Sequence, residues 1–570
     1  MTTKNTKTQK TKFKSTKAGL MRKHPNESWE RVGAPVYVRA LAVEIASDSW
    51  FAQICLRTVA DKPKRVLISR DDVSKPQTLT AKLLNSGYPL PRSKRDCALL
   101  LEHLSNKIPK RRVVITNHLG WHGNQYVLKD TVIGKGKQEL VYQNSFDTDT
   151  SGQPPTGTLN EWSETIGQIA LHSSRMRFGI CLALAGPLLD VIDAESFGVN
   201  FTGNSSQGKT TISKTIQTIY RSITKKKLLD WDFTSASLDE TAAAHCDQVL
   251  VIDELARADE SDRKKVKKVR DAAYRLASGH GRARSVFYKN KGNPTNWRIT
   301  FVSSSETALG ALAAKYGDAR PKGEEVRLID LPAVVHPVYG VFETVPEGYI
   351  SEDLVNKIEA ACNSIDGVVG RAFITKIAAN RSKVNKTANS HLESFLSKVN
   401  APMQGWERRF AKRFGIVYAA GLLGIEFGLL PWDPNDVMQT CIECYGAARK
   451  TVSDYDEILD TAISELKKQL KNDALWIGQS DKPSQKNLQA AAGFLREHKK
   501  HGKYYAIKPE RFDEWFANTL SPKLISGYLR SQGYLITTIP NVDTKPVKIS
   551  QFNAKQKPRY YCIKANFLGL

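Results

Sequence analysis

The apolar residues of this chain fall into blocks of different period, and the first block predicts a mixture of strands and helices. Residues 36–69 contain three β-rich runs separated by polar turns, which is typical of an antiparallel meander. Residues 79–86 and 97–108 have helical spacing, and strand-like runs return over residues 111–134. We therefore expect an N-terminal α+β domain over residues 31–150.

The first 30 residues lack this pattern. Lysine and arginine recur through residues 1–26, and no acidic residue interrupts them. Such a composition buries too little apolar surface to fold, so we expect a disordered basic tail over residues 1–30. The tail would either follow a phosphate backbone or serve only to keep the protein soluble.

The middle of the chain contains three short runs that are mainly apolar. One run surrounds Val199, and two others occupy residues 249–252 and 297–302. Continuous apolar runs are typical of parallel strands that are covered on both faces. Residues 161–192 have helical spacing and lead into the first run. We therefore expect an α/β fold over residues 158–345, the core of the chain.

The remainder of the chain is mainly helical. Residues 346–475 carry amphipathic runs, which predict a helical lid subdomain beside the core. Within residues 484–570, helical spacing at 488–498, 511–519 and 522–531 precedes two β-rich runs, YLITTIP and PRYYCIK. Helices followed by a hairpin resemble a winged-helix DNA-binding domain, and a small helical appendage is the alternative.

The basic residues of this last region fall where a winged helix contacts DNA. Lys523 and Arg530 lie on the third helical run, which would enter the major groove. The loop between the two β-rich runs carries the lysines of a wing, Lys545, Lys548, Lys555 and Lys557. We expect both groups of cations to contact the DNA backbone.

The overall charge narrows the choice of partner. The 570 residues include 84 lysines and arginines against 58 acidic residues, a formal net charge of +26. This excess indicates a polyanionic partner, first of all nucleic acid, and a generally basic surface is the alternative. With the motifs below, we expect DNA, as a single strand or an origin duplex. The eight cysteines show no disulfide pattern, and no apolar run is long enough to span a membrane. We therefore expect a cytoplasmic protein without a membrane partner.

The run around Val199 leads into a candidate nucleotide site. The sequence GNSSQGKTT follows it, and a helical run begins at Ile212. This spacing fits a phosphate loop, in which backbone N–H groups enclose the phosphates, lysine binds the β and γ oxygens and threonine ligates magnesium. We expect ATP and Mg²⁺ as cofactors, bound by Gly203, Asn204, Ser205, Ser206, Gln207, Gly208, Lys209, Thr210 and Thr211.

The second and third apolar runs end in polar residues that complete such a site. Asp253 and Glu254 follow the second run, as in a Walker B strand. Asp253 would hold magnesium together with Thr210, and Glu254 would polarise the attacking water. The third run ends in Ser303 and Ser304, either of which would sense the γ-phosphate.

Two further groups of cations are candidates for function. A glycine-tipped hairpin between the second and third runs is predicted to carry Arg282, Arg284, Lys289 and Lys291. In a ring-forming motor this hairpin would project into the pore and bind a DNA backbone; a plain surface hairpin is the alternative. Arg320 or Arg327 would reach the neighbouring subunit's nucleotide, or form a structural salt bridge.

Together, these motifs resemble the family called domain of unknown function 927 (DUF927), found in phages, genomic islands and staphylococcal cassette elements. GNSSQGKTT is similar to the family's G-x-S-S-x-G-K-T-T pattern, and AAYRLASGHGRARS is similar to its Y-x-L-x-N-G-x-G-K-x-R signature. SASLDETAAAHCDQVLVIDE, FVSSSE, EEVRLIDLPA and a helical block ending in LLPW also resemble family segments, from about residue 113 to residue 447. The resemblance implies an AAA+-like ATPase and favours Arg327 over Arg320 as the trans-acting arginine.

The chain also departs from the family pattern. Ser278 stands where the family has Asn, Arg282 where it has Lys, and Ser305 where it has Gly. The last difference leaves the sensor open between Ser303 and Ser304. Some relatives carry primase modules, but this sequence shows no primase signature, so any primase would be a separate partner.

These features predict a P-loop ATPase core of the AAA+ type over residues 158–345. We interpret the protein as an oligomer, a hexamer, that couples ATP hydrolysis to movement along DNA. We expect the replicative helicase of a phage or mobile genetic element. The alternative is a DNA-bound ATPase switch, a regulator or recombination accessory, without processive unwinding. A non-enzymatic origin-binding protein is a further alternative, against which the intact Lys209, Asp253 and Glu254 argue.

Overall fold

A computed structural model of the chain describes residues 13–16, 18–23, 28–44, 48–142, 155–220, 228–253, 262–281, 296–315, 320–452, 455–516, 520, 522–539, 542–547 and 558–569.

The N-terminal region is built on a mixed sheet with helices on one face. Its strands are β1 Phe13–Thr16, β2 Gly19–Lys23, β3 Trp29–Gly33, β4 Val36–Glu44, β5 Ser49–Arg57, β6 Pro63–Ser69, β7 Arg112–Thr116, β8 Gly120–His122, β9 Gln125–Val127, β10 Val132–Ile133 and β11 Leu140–Tyr142. Its helices are α1 Arg70–Ser74, α2 Pro76–Asn85 and α3 Lys94–Asn106. The main sheet has the order β11-β7-β4-β5-β6. Strands β4, β5 and β6 pair antiparallel, so the predicted meander is confirmed, and β7 and β11 add to it in parallel.

The first 30 residues include strands that the sequence did not predict. We expected disorder, but β1, β2 and β3 form an antiparallel sheet. Leu20 is fully buried there. Arg22 forms an ion pair of 2.7 Å with the buried Asp96 of α3. Because these contacts come from a distant helix, the low apolar content of the segment did not reveal them.

The central region contains a five-stranded parallel sheet. Its elements are α4 Leu159–Trp162, α5 Ser174–Val191, β12 Phe197–Thr202, α6 Lys209–Gln217, β13 Leu229–Asp230, α7 Ser235–Ala244, β14 Gln248–Asp253, α8 Asp262–Ser278, β15 Ile299–Ser305, α9 Leu309–Lys315, α10 Lys322–Glu325 and β16 Leu328–Pro332. The order is β13-β14-β15-β12-β16, so β15 lies between β12 and β14. All residues of β12 and β15 are buried, including the polar Asn200 and Thr300, as expected of parallel strands that are covered on both faces. The carboxyl ends of β12, β15 and β14 therefore lie side by side.

A helical layer covers this sheet. It consists of α11 Ser351–Ser364, α12 Val368–Ala379, α13 Arg381–Lys398, α14 Gly405–Glu426 and α15 Pro434–Arg449, and α16 Tyr455–Leu470 follows it. Helix α14 packs on α5 so closely that a Cβ on Gly421 would lie 2.7 Å from the Cys181 Sγ. The two helices share one hydrophobic core with β12. In the described part of the chain, no helix is both long enough and apolar enough for a bilayer crossing.

The C-terminal region combines a second mixed sheet with short helices. Its elements are β17 Trp476–Ile477, α17 Gln485–Ala490, β18 Gly493–His498, β19 Gly502–Ile507, α18 Pro509–Phe516, α19 Pro522–Ser531, β20 Thr544–Pro546 and β21 Arg559–Lys564. The sheet order is β17-β18-β19-β21-β20. Leu466 and Leu470 of α16 pack in the core of this region. The hydrophobic cores therefore divide before α16 rather than at residue 475.

Two predictions for this region were wrong. The helix expected over residues 488–498 ends at Ala490, and Gly493–His498 is a strand paired with β19. The run YLITTIP was expected to form a hairpin with PRYYCIK, but it contributes only an isolated bridge between Leu535 and Ile563. Strand β21 pairs instead with β19 and β20.

One buried carboxylate joins the N-terminal region to the central sheet. The Asp247 Oδ2 accepts a hydrogen bond of 2.8 Å from the Trp121 backbone N–H, at β8. Gly120 has φ of +86°, and a Cβ there would lie 2.2 Å from the same oxygen, so only glycine fits. Burial raises the pKa of Asp247 to about 7, against the opposing effect of the Trp121 hydrogen bond.

Candidate nucleotide site

The predicted phosphate loop connects β12 to α6. Gly208 has φ of +96° and directly precedes Lys209, the first residue of the helix. A Cβ on Gly208 would lie 2.6 Å from Val341, so neither the backbone conformation nor the space accepts another residue. Ser206 also has a positive φ, of +60°. The loop therefore ends at the N-terminus of α6, where free backbone N–H groups bind anions favourably.

The Lys209 side chain lies across this loop. Its Nζ donates to the carbonyl oxygens of Gly203, at 2.6 Å, and Asn204, at 2.7 Å. The ammonium group is therefore held at the loop that would carry the phosphates.

Three elements bring oxygen atoms together beside the loop. Asp253 is the last residue of β14, and its Oδ1 accepts a 2.8 Å hydrogen bond from the Ser304 hydroxyl of β15. Its Oδ2 lies 3.4 Å from the hydroxyl of Thr210 on α6, which donates to it. The strand order explains this meeting, because the ends of β14 and β15 are adjacent. Paired hydroxyl and carboxylate oxygens are ligands that Mg²⁺ accepts in nucleotide sites.

The structure separates the two candidate sensors. Ser304 reaches Asp253, whereas the hydroxyl oxygen of the fully buried Ser303 accepts a 2.9 Å hydrogen bond from the Trp231 indole N–H. Successive side chains on a strand point to opposite faces, so only one of two neighbours can face the loop. Ser303 is therefore not in the site.

A cavity of about 650 Å³ lies over the phosphate loop. It falls in the size range of small-molecule sites, roughly 300–1,000 Å³. Residues 205–211, Ser304, Ser305 and Glu306 line it, together with two groups that the sequence did not single out: residues 337–342 and the start of α11.

The segment over the loop contains a pair of stacked rings. The His336 and Tyr339 rings are 4.3 Å apart and nearly parallel, and Tyr339 lines the cavity. A Cβ on Gly340 would lie 2.8 Å from the Gln207 carbonyl oxygen, so this turn closely approaches the phosphate loop. Pro337 and Gly340 are turn signals, which are the available sequence clue to this segment.

A buried polar network supports the sheet behind the loop. Asp330 of β16 accepts a 2.7 Å hydrogen bond from the Asn200 amide of β12 and forms a 3.0 Å ion pair with Arg320. Arg320 is only 4% exposed. Its guanidinium is therefore buried within the chain. Arg320 thus forms the structural salt bridge that was the alternative to a role at a neighbouring nucleotide.

Arg327 has a different environment. Its guanidinium donates to the Gly323 carbonyl oxygen and lies 4.5 Å from the centre of the Tyr274 ring. Its backbone oxygen accepts from the Gly198 N–H at the start of β12. Five residues of strand separate Gly198 from the phosphate loop, a distance of about 16 Å. Arg327 is thus far from the nucleotide site of its own subunit.

Several candidate residues lie outside the described residues: Glu254, which directly follows Asp253, the hairpin cations Arg282, Arg284, Lys289 and Lys291, and the wing lysines Lys548, Lys555 and Lys557.

The C-terminal cations are arranged differently from the prediction. Lys523 is exposed on α19, but Arg530 forms an ion pair with Asp543. Basic residues cluster around the turn between β18 and β19, which the predicted helix did not reveal. They are His498, Lys499, Lys500, His501 and Lys503. Burial, followed by the charges of Lys545 and its neighbours, lowers the pKa of His501. Cations therefore gather at this turn.

Comparisons with known proteins agree with this architecture. The model of the family described as "Domain of unknown function (DUF927)" matches residues 5–293, half of the chain. A search of curated proteins gave no significant match. Among solved structures, SCCmec type IV Cch, described as an active helicase, aligns with a TM-score of 0.62 and 16% identity. The alignment covers 98% of this chain and 99% of that chain, so the two share a fold over their length.

Proposed function

The chain belongs to the DUF927 family, and from that premise we propose that it is an oligomeric, ATP-dependent DNA helicase or translocase of a phage or mobile genetic element. The observation that carries the proposal is that Lys209, Thr210 and Ser304 line one cavity, and that Asp253 accepts hydrogen bonds from the last two. Two observations support DNA as the partner: the structural neighbour is described as a helicase, and the chain has a net charge of +26.

Each residue of the site has a role in hydrolysis under this proposal. The loop N–H groups and Lys209 bind the ATP phosphates, and Thr210 with Asp253 would hold Mg²⁺, which offsets phosphate charge when bound. Glu254 orients and polarises the attacking water, and the Ser304 hydroxyl contacts the γ-phosphate. The Tyr339 ring, which lines the cavity and stacks on His336, provides a face on which an adenine can stack.

The strand order supports an AAA+-type core. In the sheet, β15 is inserted between the phosphate-loop strand β12 and the acidic strand β14. This insertion lets Ser304 stand between the phosphate loop and Asp253. The helices from α11 onward begin at the cavity and act as the lid.

The position of Arg327 supports an oligomer. About 16 Å of strand separates it from its own phosphate loop, so it acts on the nucleotide of a neighbouring subunit. A closed ring, a hexamer in this proposal, gives each site such a neighbour.

DNA contacts are proposed at two places. The hairpin cations Arg282, Arg284, Lys289 and Lys291 bind the strand inside the ring, and any primase acts as a separate partner. The C-terminal region is proposed as the winged-helix-like domain that binds the element's DNA, through Lys523 and the basic turn between β18 and β19 rather than through Arg530.

The first experiment measures ATP hydrolysis by the purified protein with and without single-stranded and duplex DNA. We expect strong DNA stimulation, and a fall of about 100-fold or more for Lys209→Ala and Glu254→Gln, because each removes a group that acts on the transferring phosphoryl group or the water. Lys214→Ala is the matched control, because Lys214 lies on the same helix and pairs with Glu359.

A forked-duplex assay then separates two functions. ATP-dependent strand displacement supports a helicase. DNA-stimulated hydrolysis without displacement would instead support an ATPase switch that regulates or assists recombination. Absence of hydrolysis under all conditions would contradict both.

A further inference from the structure

A second cleft, of about 850 Å³, lies in the N-terminal region. One wall is formed by β5 and β6, and the others by the segment around β9 and β10 and by β11. We call it the N-terminal cleft and define it by Gln53, Lys62, Lys64, Arg65, Lys129 and Tyr142. None of these residues belongs to the nucleotide site.

The N-terminal cleft is positively charged. Lys62, Lys64, Arg65 and Lys129 line it, and no ion pair joins any of them to a described carboxylate. Two carboxylates also line the cleft, but cations outside it neutralise both. Asp130 pairs with Arg371, and Glu139 pairs with Arg111 at 2.6 Å. The four lining cations are thus available to an anion.

The cleft also contains a buried amide. Gln53 of β5 is fully buried, and within the described structure neither its Oε1 nor its Nε2 has a hydrogen-bond partner. Its strand neighbours in the sheet are the apolar residues Ala40 and Leu67. Buried side-chain amides are normally satisfied, so an unpartnered one at a cleft indicates a ligand with both a donor and an acceptor.

A nucleotide unit has this combination of groups. The edge of a nucleobase presents adjacent donors and acceptors, which an Asn or Gln amide matches, and the phosphates suit lysine and arginine. The volume of the cleft fits one such unit. Only an unpaired base can leave its neighbours and enter a cleft, so the strand must be single.

We propose that the N-terminal cleft binds a nucleotide of single-stranded DNA, with the base at Gln53 and the backbone phosphates on Lys62, Lys64, Arg65 and Lys129. That the nucleic acid is DNA rests on the proposed function. A second strand contact outside the ring would hold the unwound strand beside the motor.

The test uses the full-length protein without ATP, so that its result does not depend on hydrolysis. A photoreactive oligothymidylate of about 16 nucleotides, the upper site size of one single-strand-binding module, is cross-linked and the modified peptides are mapped by mass spectrometry. We expect cross-links on the peptides that carry Gln53 and Tyr142. Lys209→Ala should leave them unchanged.

Two charge-matched triple variants test the cations. One combines Lys62→Ala, Lys64→Ala and Arg65→Ala, and the control combines Lys94→Ala, Lys107→Ala and Lys110→Ala, which are exposed elsewhere in the same region. Loss of three phosphate contacts should make the slope of log affinity against log salt shallower by about 2 for the first variant only. Equal slopes in the two variants, or cross-links absent from the cleft peptides, would overturn the proposal.

Gln53→Leu tests the base contact. This change replaces an unpartnered amide by an apolar group of similar size, so we expect an unchanged or raised melting temperature together with weaker cross-linking in the cleft. Undiminished cross-linking would remove Gln53 from the proposal. Competition by thymidine monophosphate as effective as that of the oligonucleotide would overturn the assignment to a strand and indicate a free nucleotide instead.

Discussion

At the scale of single residues, adjacent positions on β15 have opposite surroundings. Ser303 accepts the Trp231 indole N–H in the core, and Ser304 donates to Asp253 beside the cavity. The sequence predicts a strand that ends here, but it does not determine which of the two serines faces the cavity. The pairing with the neighbouring strands decides this, and no local sequence pattern contains that pairing.

Substitution of the two serines should therefore have different effects. Ser304→Ala should lower the turnover number for ATP by about tenfold or more and leave the melting temperature nearly unchanged, because the lost hydroxyl faces the nucleotide. Ser303→Ala should leave turnover unchanged and cost about 1 kcal/mol of stability, since it removes a buried hydrogen-bond acceptor from Trp231. Steady-state hydrolysis and thermal unfolding measure both effects, and a reversed pattern would exclude Ser304 as the sensor.

The phosphate loop itself could be predicted from the sequence because its chemistry is local. Glycine, lysine and threonine act within nine consecutive residues, residues 203–211, and each role follows from the residue type. The roles of Arg320 and Arg327 could not be predicted in this way. Their difference depends on Asp330, which pairs with one of them across the fold.

At the scale of elements, the strands that lack a mainly apolar run were missed, even where they pair with an adjacent segment. The three strands β12, β14 and β15 were predicted because each contains a short, mainly apolar run. Strand β18 was predicted as a helix, and its Gly493 shows why. A Cβ on Gly493 would lie 2.1 Å from the Ala506 carbonyl oxygen, so the close approach of β19 determines the conformation.

The link between β8 and β14 should make stability depend on pH. Because burial raises the pKa of Asp247 to about 7, the folded state binds a proton more tightly than the unfolded state does. This contribution to stability is fully present near pH 4 and is lost as pH rises toward about 7, by roughly 4 kcal/mol. Three charged side chains face the Asp247 carboxyl group: Asp190 raises its pKa, and Arg298 and Arg381 lower it.

Asp247→Asn tests this link. The amide keeps an acceptor for the Trp121 N–H and tolerates the positive φ of this position, +56°. We expect the variant to be more stable than the native protein at pH 8 and to show a flatter dependence on pH between 5 and 8. Denaturant unfolding at several pH values measures both, and parallel curves for the two proteins would contradict the assignment.

At the scale of the whole molecule, the proposed function implies that the site of a single subunit is incomplete. Arg327 lies at the opposite end of β12 from the phosphate loop, so hydrolysis should need a neighbour. Arg327→Ala should retain ATP binding and lose about 1,000-fold in turnover. Arg320→Ala should instead destabilise the fold by about 3–5 kcal/mol, because it leaves Asp330 buried without its ion-pair partner.

Mixing two inactive variants tests the shared site. Lys209→Ala subunits keep Arg327, and Arg327→Ala subunits keep the phosphate loop, so a mixed oligomer contains some complete sites. We expect partial recovery of ATP hydrolysis on mixing. No recovery, with mixed assembly shown by affinity co-purification, would mean that Arg327 does not act between subunits.

The strand order of the central sheet also has a consequence for biosynthesis. Strand β12 pairs with β15 on one side and β16 on the other, and Phe197 meets Thr300. The ribosome adds about 5–20 residues per second, so the phosphate loop waits roughly 5–20 s for its neighbouring strand. A nascent chain that stops before β15 carries the complete motif without a folded site. Under the proposed function, bound nucleotide would therefore stabilise this protein only late in its synthesis.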